Sequence, residues 1–200
     1  MDETILLWIN QGWAHPWLDP FFTWVSERGT FSFPLLLGIL LLSVRAFKGD
    51  GVKLWMVLLA VIICGDQLGN AIKHLTAQPR PCYELHEIVR QPARAVPGPC
   101  GGNLDAMPSN HALNFFATAT FVMLAVRIRS WGITLYVIAL LVGISRIYLG
   151  KHYPSQVLAG AIIGCLLGYL AAWLGIKYLA FMQRVHTYQQ SRSNPVANQG

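Results

Sequence analysis

Three short clusters of cationic and imidazole side chains carry the residue types that phosphoryl transfer requires. They are Lys73 with Arg80-Pro81, then Pro108-Ser109-Asn110-His111, and finally Ser145-Arg146 with His152. An arginine presents a planar fork of donors that matches phosphate oxygens, and a lysine supplies a point charge. One histidine can attack phosphorus while another protonates the leaving oxygen. The clusters therefore predict a site that binds a phosphate group and transfers it.

The second cluster stands where an apolar segment begins, which adds backbone donors to the predicted site. Ser109 suits the N-cap position of a helix, and the first N–H groups of that helix would point at an anion. Together with the cations, these donors would hold the negative charge of the transition state. A single cation at a helix end is often only a snorkelling side chain. Two histidines in register with the cations favour a functional site instead.

The segments between the clusters are long and apolar, so membrane-spanning helices must hold the clusters in place. Of the 200 residues, 54% are hydrophobic and 12% are charged, which is about half the charged fraction of a soluble domain. Five blocks approach the roughly 20 residues that cross a hydrocarbon core. They cover residues 31–47, 54–72, 111–128, 131–147 and 155–181. We expect an all-α integral membrane bundle of five spans, in which residues 31–181 form one domain and Gly160, Gly164 and Gly168 permit close helix packing.

The two ends of the chain differ from these blocks. Residues 1–30 are rich in Trp and Phe but contain several polar residues, and Pro16 and Pro20 interrupt them. This pattern favours two short interfacial helices with aromatic anchors, and a sixth span is the alternative. Residues 182–200 form a polar tail on the cytoplasmic side, and we expect disorder from Gln183 onward because the tail has no hydrophobic periodicity.

The basic residues outside the clusters predict which membrane face carries the site. Those at the opposite helix ends are Arg45, Lys48, Lys53, Arg127, Arg129, Lys177 and Arg184. The positive-inside rule makes these ends cytoplasmic, which puts the clusters on the periplasmic face of a bacterial inner membrane. Arg80, Arg90 and Arg94 depart from the rule, as functional arginines would. In that oxidising compartment Cys82 and Cys100 would be able to form a disulfide.

Asp66 and Asn70 lie within the second apolar block, on the same helix face as Lys73. An acidic residue inside a membrane span is a functional candidate by default. Asp66 would, however, lie about 10 Å deeper along the helix than Lys73. We therefore expect a structural polar network that steadies Lys73, and no direct catalytic role for Asp66.

The three clusters resemble the three-part signature of the type 2 phosphatidic acid phosphatase (PAP2) superfamily, over residues 31–181. The resemblance implies an all-helical membrane core, no metal, no cofactor and a phosphohistidine intermediate. It further implies that His152 is the nucleophile and that His111 is the general acid and later the base. The phosphate ligands that it implies are Lys73, Arg80, Ser109, Asn110 through its backbone, and Arg146.

Gln156 departs from the usual pattern of this family, which has an Asp four residues after the nucleophile. That Asp orients the second ring nitrogen of the histidine. A Gln carbonyl can accept the same hydrogen bond, but it supplies no charge to stabilise an imidazolium. The glucose-6-phosphatase branch is similar in having Gln at this place, so Gln156 is expected to orient the nucleophile.

The leading hypothesis from the sequence is hydrolysis of undecaprenyl pyrophosphate. The alternatives are a phosphatidylglycerophosphate or phosphatidic acid phosphatase, a lipid A 1-phosphatase, a lipid phosphotransferase, and a weakened, non-catalytic lipid-binding member. The net charge of +6 does not indicate a nucleic-acid partner, because Lys and Arg lie at block ends and in short loops. The expected partners are the bilayer and a lipid substrate, and the sequence specifies no oligomeric state.

Overall fold

The described part of the protein consists of helices and the turns and loops that connect them, and it contains no strand. The computed structural model describes residues 1–47, 49–92, 98–100, 104–126 and 128–193, and gives only the backbone for residues 46, 47, 176 and 178–193. The helices in this part are α1 (Asp2–Asn10), α2 (Leu18–Val25), α3 (Phe33–Phe47), α4 (Gly49–Thr76), α5 (Pro81–Glu84), α6 (Asn110–Ala125), α7 (Arg129–Tyr148) and α8 (Pro154–Ser193). A π-helical turn, Arg28–Ser32, leads directly into α3. Lys48, Arg94 and Arg127, which entered the topology prediction, lie outside the described residues.

Four helical segments are long and apolar enough to cross a membrane. They are Arg28–Arg45, Gly49–Thr76, Arg129–Tyr148 and Pro154–Gly175. Each contains most of one of the apolar blocks, so the prediction of an all-helical membrane bundle is confirmed. The large apolar side chains on their outer faces, such as Leu41, Ile63, Leu140 and Leu166, are more than half exposed and would face lipid.

The remaining predicted span corresponds to α6, which is the central helix of the bundle. With 16 residues it is about 24 Å long at 1.5 Å per residue, which is shorter than a typical span. It packs against α4, α7 and, most extensively, α8. Its first residues lie at the site, and the short connection at its other end leads into α7, which returns to the site. Five spans remain the predicted number, since the length of α6 alone does not decide it.

The tight α6–α8 contact explains the regular glycines in α8. A Cβ atom at Gly160 would lie 2.5 Å from the Ser109 carbonyl oxygen, and one at Gly164 would lie 2.2 Å from that of Leu113. Gly168 makes the same approach to Ala117, at 2.4 Å. The prediction that these glycines permit close helix packing is therefore confirmed. This close contact fixes the position of α6 along α8, and therefore also the position of the second cluster.

The N-terminal segment forms two short helices, as the sequence predicts. With 9 and 8 residues, α1 and α2 are too short to cross a membrane. Their buried side chains, including Leu6, Ile9 and Phe22, pack against Ile147 and Tyr148 at the end of α7. The two helices therefore cover the end of α7, in addition to their predicted place at the membrane interface.

The C-terminal helix is longer than the sequence predicts. Disorder was expected from Gln183, but α8 continues to Ser193. Residues 183–193 contain neither glycine nor proline, and the next helix-breaking residue is Pro195. The expectation of disorder is wrong for this stretch, and residues 194–200 lie outside the described part of the chain.

Candidate active site

The three polar clusters converge on one cavity of about 470 Å³ at one end of the bundle. Six residues of the predicted site line it, namely Lys73, Arg80, Asn110, His111, Arg146 and His152. Five further residues complete the wall, namely Thr23, Ser26, Glu27, Arg28 and Lys151. Ser109 and Gln156 are almost fully buried and lie behind the wall. The two histidines and the three predicted cations thus share one cavity, although they are spread over some eighty residues of sequence.

The cavity carries a large excess of positive charge. Among the described residues, five cations line it together with a single carboxylate, that of Glu27. The cations are Arg28, Lys73, Arg80, Arg146 and Lys151. Arg80 forms an ion pair outside this set, since its Nε donates to Asp105 at 3.0 Å. An assembly of mostly unpaired cations is costly unless an anion joins it. The wall is therefore chemically suited to a group with several negative oxygens, such as a phosphate.

Arg146 is the most deeply buried of these cations, with 5% of its surface exposed. Its Nη1 donates to the Ser26 hydroxyl at the end of α2. Its Nε has no hydrogen-bond partner among the described residues, and none of the ion pairs there involves it. A buried guanidinium with free donors beside a cavity is well placed to bind two phosphate oxygens.

The α7–α8 turn fixes Arg146 and His152 next to each other. At the end of α7 the N–H of Lys151 donates to the Arg146 carbonyl at 2.9 Å, and that of Gly150 donates to Ile147 at 2.9 Å. This pair of bonds defines a Schellman cap, which requires a left-handed residue, and Gly150 has φ of +67°. Helix α8 then begins at Pro154, a favoured first residue. The five residues between Arg146 and His152 are therefore the length of one helix cap and turn.

The His152 ring is held from behind by Gln156. The Gln156 Oε1 lies 3.3 Å from the His152 Nδ1 and also accepts the Tyr153 backbone N–H at 3.1 Å. The Gln156 Nε2 donates to the Pro79 carbonyl at 3.1 Å, which fixes the orientation of the amide. Because Oε1 can only accept, the His152 Nδ1 carries the proton. The other ring nitrogen, Nε2, is then left with its lone pair.

His152 is neutral at physiological pH in this environment. Burial lowers the pKa of its imidazole well below the ordinary value, and the nearby charges of Arg146, Arg80 and Lys73 lower it further. The same causes act on its neighbour: burial and the charges of Arg146 and Arg80 lower the pKa of Lys151 to about 8. A neutral imidazole is the nucleophilic form, so the cations that bind an anion also keep the nucleophile ready.

Lys73 and Arg80 are positioned by the end of α4 and the start of α5. Pro81 is the first residue of α5, and Arg80 is extended before it, as residues preceding proline tend to be. The Cys82 N–H donates to the Gly150 carbonyl at 3.0 Å, which ties this segment to the α7–α8 turn. Cys82 and Cys100 are joined in a disulfide, with 5.4 Å between their Cα atoms. The loop after Arg80 is thereby fastened close to His152.

The start of α6 is fastened to α4 by amide side chains. The Asn110 Nδ2 donates to Asp66 at 3.2 Å and to Asn70 at 3.1 Å, and the Asn114 Nδ2 donates to Asp66 at 2.8 Å. The expected polar network around Asp66 exists, but it holds α6 and makes no hydrogen bond to Lys73 among the described residues. The hydrogen bonds of the network therefore steady α6, and Asp66 acts on Lys73 through its charge.

Ser109 occupies the N-cap position of α6, but its hydroxyl makes no cap hydrogen bond. Its backbone N–H donates to the Gln156 carbonyl at 3.0 Å. Its buried Oγ has no partner among the described residues. Ser109 thus lies between α6 and the residue that supports His152, and does not reach the cavity wall in this structure.

The contribution of the N-terminal segment to the site is not predicted by the sequence patterns. Residues 1–30 were expected to form interfacial helices, yet Ser26 contacts Arg146 across 120 residues of sequence. Arg28 is a cation at the start of the first span, but a single cation at a helix end is often only a snorkelling side chain. Lys151 was likewise not among the predicted site residues. Among the described residues, no three His, Cys, Asp or Glu side chains are grouped closely enough to hold a metal ion.

The fold and the cavity together define a helical membrane protein that binds and transfers phosphate. Residues 51–178 match the model of the PAP2 superfamily, and the chain belongs to that family. It is similar to the lipid A 4'-phosphatase of Bacteroides thetaiotaomicron, with 30% identity over 92% of this chain and 80% of that protein. The chain is therefore a membrane phosphatase of the lipid phosphate class.

Two solved structures share the fold. The crystal structure of LpxE from Aquifex aeolicus has a TM-score of 0.63 and 27% identity, covering 84% of this chain and 92% of that one. The transmembrane PAP2-type phosphatidylglycerolphosphate phosphatase of Bacillus subtilis has a TM-score of 0.64 and 28% identity, covering 88% and 85%. The predicted family and the predicted enzyme class are both confirmed by these matches.

Proposed function

We propose that the protein hydrolyses a phosphomonoester or pyrophosphate at the polar end of a membrane lipid, through a phosphohistidine on His152. The observation that supports this most strongly is the cavity in which Arg146, buried and in no ion pair among the described residues, lies beside His152, which Gln156 orients. Lys73, Arg80, Arg146 and, through its backbone, Asn110 are the proposed phosphate ligands. Ser109 would join them by turning its Oγ, which has no partner among the described residues, from behind the wall toward the cavity. Arg28 and Lys151 line the same cavity and add to its positive charge.

The proposed reaction has two steps. In the first, the His152 Nε2 attacks phosphorus, the bond from phosphorus to the lipid oxygen breaks, and His111 gives its proton to that oxygen. In the second, His111 removes a proton from water, the water oxygen attacks phosphorus, and the phosphorus–nitrogen bond breaks to release inorganic phosphate. The cations hold the equatorial oxygens throughout. The chemistry needs no metal in this scheme.

The site is proposed to face the periplasm of a bacterial inner membrane. Arg45, Lys53, Arg129 and Lys177 lie at or near the ends of the four candidate spans that are away from the cavity, in line with the positive-inside rule. The Cys82–Cys100 disulfide lies beside the cavity and is typical of an oxidising compartment. The proposal includes α6 as a fifth helix that crosses the membrane beside the other four.

The proposed substrate is an acylated lipid phosphate of the lipid A or glycerophospholipid kind. The Bacteroides thetaiotaomicron relative and the Bacillus subtilis structure described above carry names of this kind. Undecaprenyl pyrophosphate, the leading hypothesis from the sequence, is the second choice, because nothing in the cavity is specific to a pyrophosphate.

A panel of lipid substrates tests this function directly. Wild type, His152→Ala and His86→Ala are purified in detergent and assayed for phosphate release from lipid A, phosphatidylglycerophosphate, phosphatidic acid and undecaprenyl pyrophosphate, with and without EDTA. His86 is exposed and does not line the cavity, so its variant is the matched control. We expect release by wild type and His86→Ala in both conditions, and none by His152→Ala. No release from any lipid, or loss of release with EDTA, would contradict the proposal.

A further inference from the structure

A second, mostly apolar cavity adjoins the anion cavity inside the bundle. It has a volume of about 220 Å³ and lies between α3, α4 and α6. Arg28, Asn110 and His111 line both cavities, so the two meet at these side chains. Phe33 and Ile62 are typical of the remaining wall. A lipid whose phosphate lies in the first cavity can therefore place its adjoining segment in the second.

Among the described residues that line this second cavity, Asp66 is the one carboxylate and Arg28 the one cation. The Asp66 Oδ1 accepts the N–H groups of Asn110 and Asn114, at 3.2 and 2.8 Å. Its Oδ2 receives no hydrogen bond from the described residues, and the side chain is only partly buried. A carboxylate oxygen in an apolar cavity is costly without a donor, so the arrangement calls for a hydroxyl or N–H group from elsewhere.

The neighbouring amides cannot supply that donor. The carbonyl oxygens of Asn110 and Asn114 are turned toward Gly69 and Gly65, where a Cβ atom would lie 2.3 and 2.6 Å from them. The amide groups therefore present their N–H atoms to the Oδ1 side of Asp66 and their oxygens to α4. This fixes Asp66 as an acceptor that faces the cavity with one oxygen free.

We infer that Asp66 selects lipid phosphates that carry a hydrogen-bond donor, a hydroxyl or an amide N–H, in the segment next to the phosphate. This inference rests on the proposed function. Asp66 precedes Lys73 by seven residues, so the donor would lie about 10 Å from the phosphate along α4. A hydroxyacyl chain on a phosphorylated sugar has a hydroxyl at such a distance. A polyprenyl chain has no donor and would leave Oδ2 unpaired.

A matched pair of substrates tests the selection. They are acylated glucosamine phosphates that differ only in having 3-hydroxytetradecanoyl or plain tetradecanoyl chains, and phosphate release gives kcat and KM for each. For wild type we expect kcat/KM to be roughly tenfold higher for the hydroxylated substrate than for the plain one. The plain substrate has no hydroxyl and therefore cannot make the hydrogen bond to the charged Asp66. The difference should appear in KM, since the contact is the same in the ground state and the transition state.

Two variants separate recognition from structure. Asp66→Asn keeps an oxygen for Asn110 and Asn114 but presents an amide donor to the cavity, so the preference for the hydroxylated substrate should vanish or reverse. Asn70→Ala removes one Asn110 hydrogen bond without changing the cavity wall, and should keep the wild-type ratio. Equal kcat/KM values for the two substrates in wild type would overturn the inference while leaving the phosphatase function intact, whatever the stability of the variants. Absence of phosphate release from both substrates and from the lipid panel would instead overturn the proposed function.

Discussion

Gln156 is expected to hold the nucleophile through its carbonyl oxygen, and replacing it tests this role. In Gln156→Leu the His152 Nδ1–H and the Tyr153 N–H lose their acceptor, and the Pro79 carbonyl loses its donor. Each buried group left without a partner costs about 1–3 kcal/mol of folding free energy. Without the acceptor the imidazole is free to rotate and to carry its proton on the nucleophilic nitrogen. We expect kcat to fall roughly 10- to 100-fold, as for other partners that orient a histidine.

Gln156→Glu separates orientation from packing, because it has the same length and keeps an oxygen for His152 and Tyr153. Its second oxygen would face the Pro79 carbonyl where the amide now donates, so we expect a loss of stability of about 1–3 kcal/mol. Activity should nevertheless be recovered to near the wild-type value. The added negative charge would also raise the pKa of His152, which moves the acid limb of the pH–activity profile to higher pH.

The assay for both variants is phosphate release as a function of pH, together with thermal unfolding in detergent. We expect the kcat of Gln156→Glu to be close to that of wild type and the kcat of Gln156→Leu to be far lower. Both variants should be less stable than wild type. A Leu variant with wild-type kcat would refute the orienting role. An equal loss of kcat in both variants would show that Gln156 acts through Pro79 and packing alone.

Four further changes test other parts of the site. Ser26→Ala should lower kcat/KM roughly tenfold because Arg146 loses a hydrogen-bond partner, and Ser26→Thr should restore it; unchanged kinetics would remove α2 from the site. Gly164→Ala should unfold the bundle or lower its melting temperature strongly, since the new Cβ would lie 2.2 Å from the Leu113 carbonyl oxygen, whereas Gly175→Ala, with nothing within 4 Å, should not. Cys82→Ser should cost about 3 kcal/mol of unfolding free energy for a disulfide that joins residues 18 apart, and a reducing agent should destabilise wild type but not the variant. Because burial lowers the pKa of Lys151 to about 8, its charge is present below that pH and lost above it, so KM should rise above pH 8 in wild type and stay level in Lys151→Arg.

The cluster residues could be predicted from the sequence because their chemistry is fixed by residue type. Arg146 and His152 stand at a spacing that a helix cap and a turn impose, and the apolar blocks on either side set the membrane depth of both. Gly160 and Gly164 could also be predicted, because glycines spaced four residues apart indicate a close helix contact. Local spacing and hydrophobic length were sufficient for these features.

The contacts that depend on the tertiary fold could not be predicted in this way. Ser26 reaches Arg146 only because α2 packs on the end of α7, and nothing near Ser26 in the sequence indicates a phosphate site. Asp66 was expected to steady Lys73, its neighbour on α4, but its hydrogen-bond partners are on α6. Helix α8 extends to Ser193 because no glycine or proline interrupts it before Pro195. This local signal for a helix was weaker than the polar composition, which predicted disorder.

The most direct test of the account is to identify the residue that carries phosphate during turnover. Wild type is mixed with a lipid substrate labelled in its phosphate, quenched within one turnover, digested under alkaline conditions that preserve phosphohistidine, and mapped by mass spectrometry. We expect the label on the peptide that contains His152, and no labelled peptide from His152→Ala. Label on His111, or a burst of free phosphate without any labelled protein, would contradict the account.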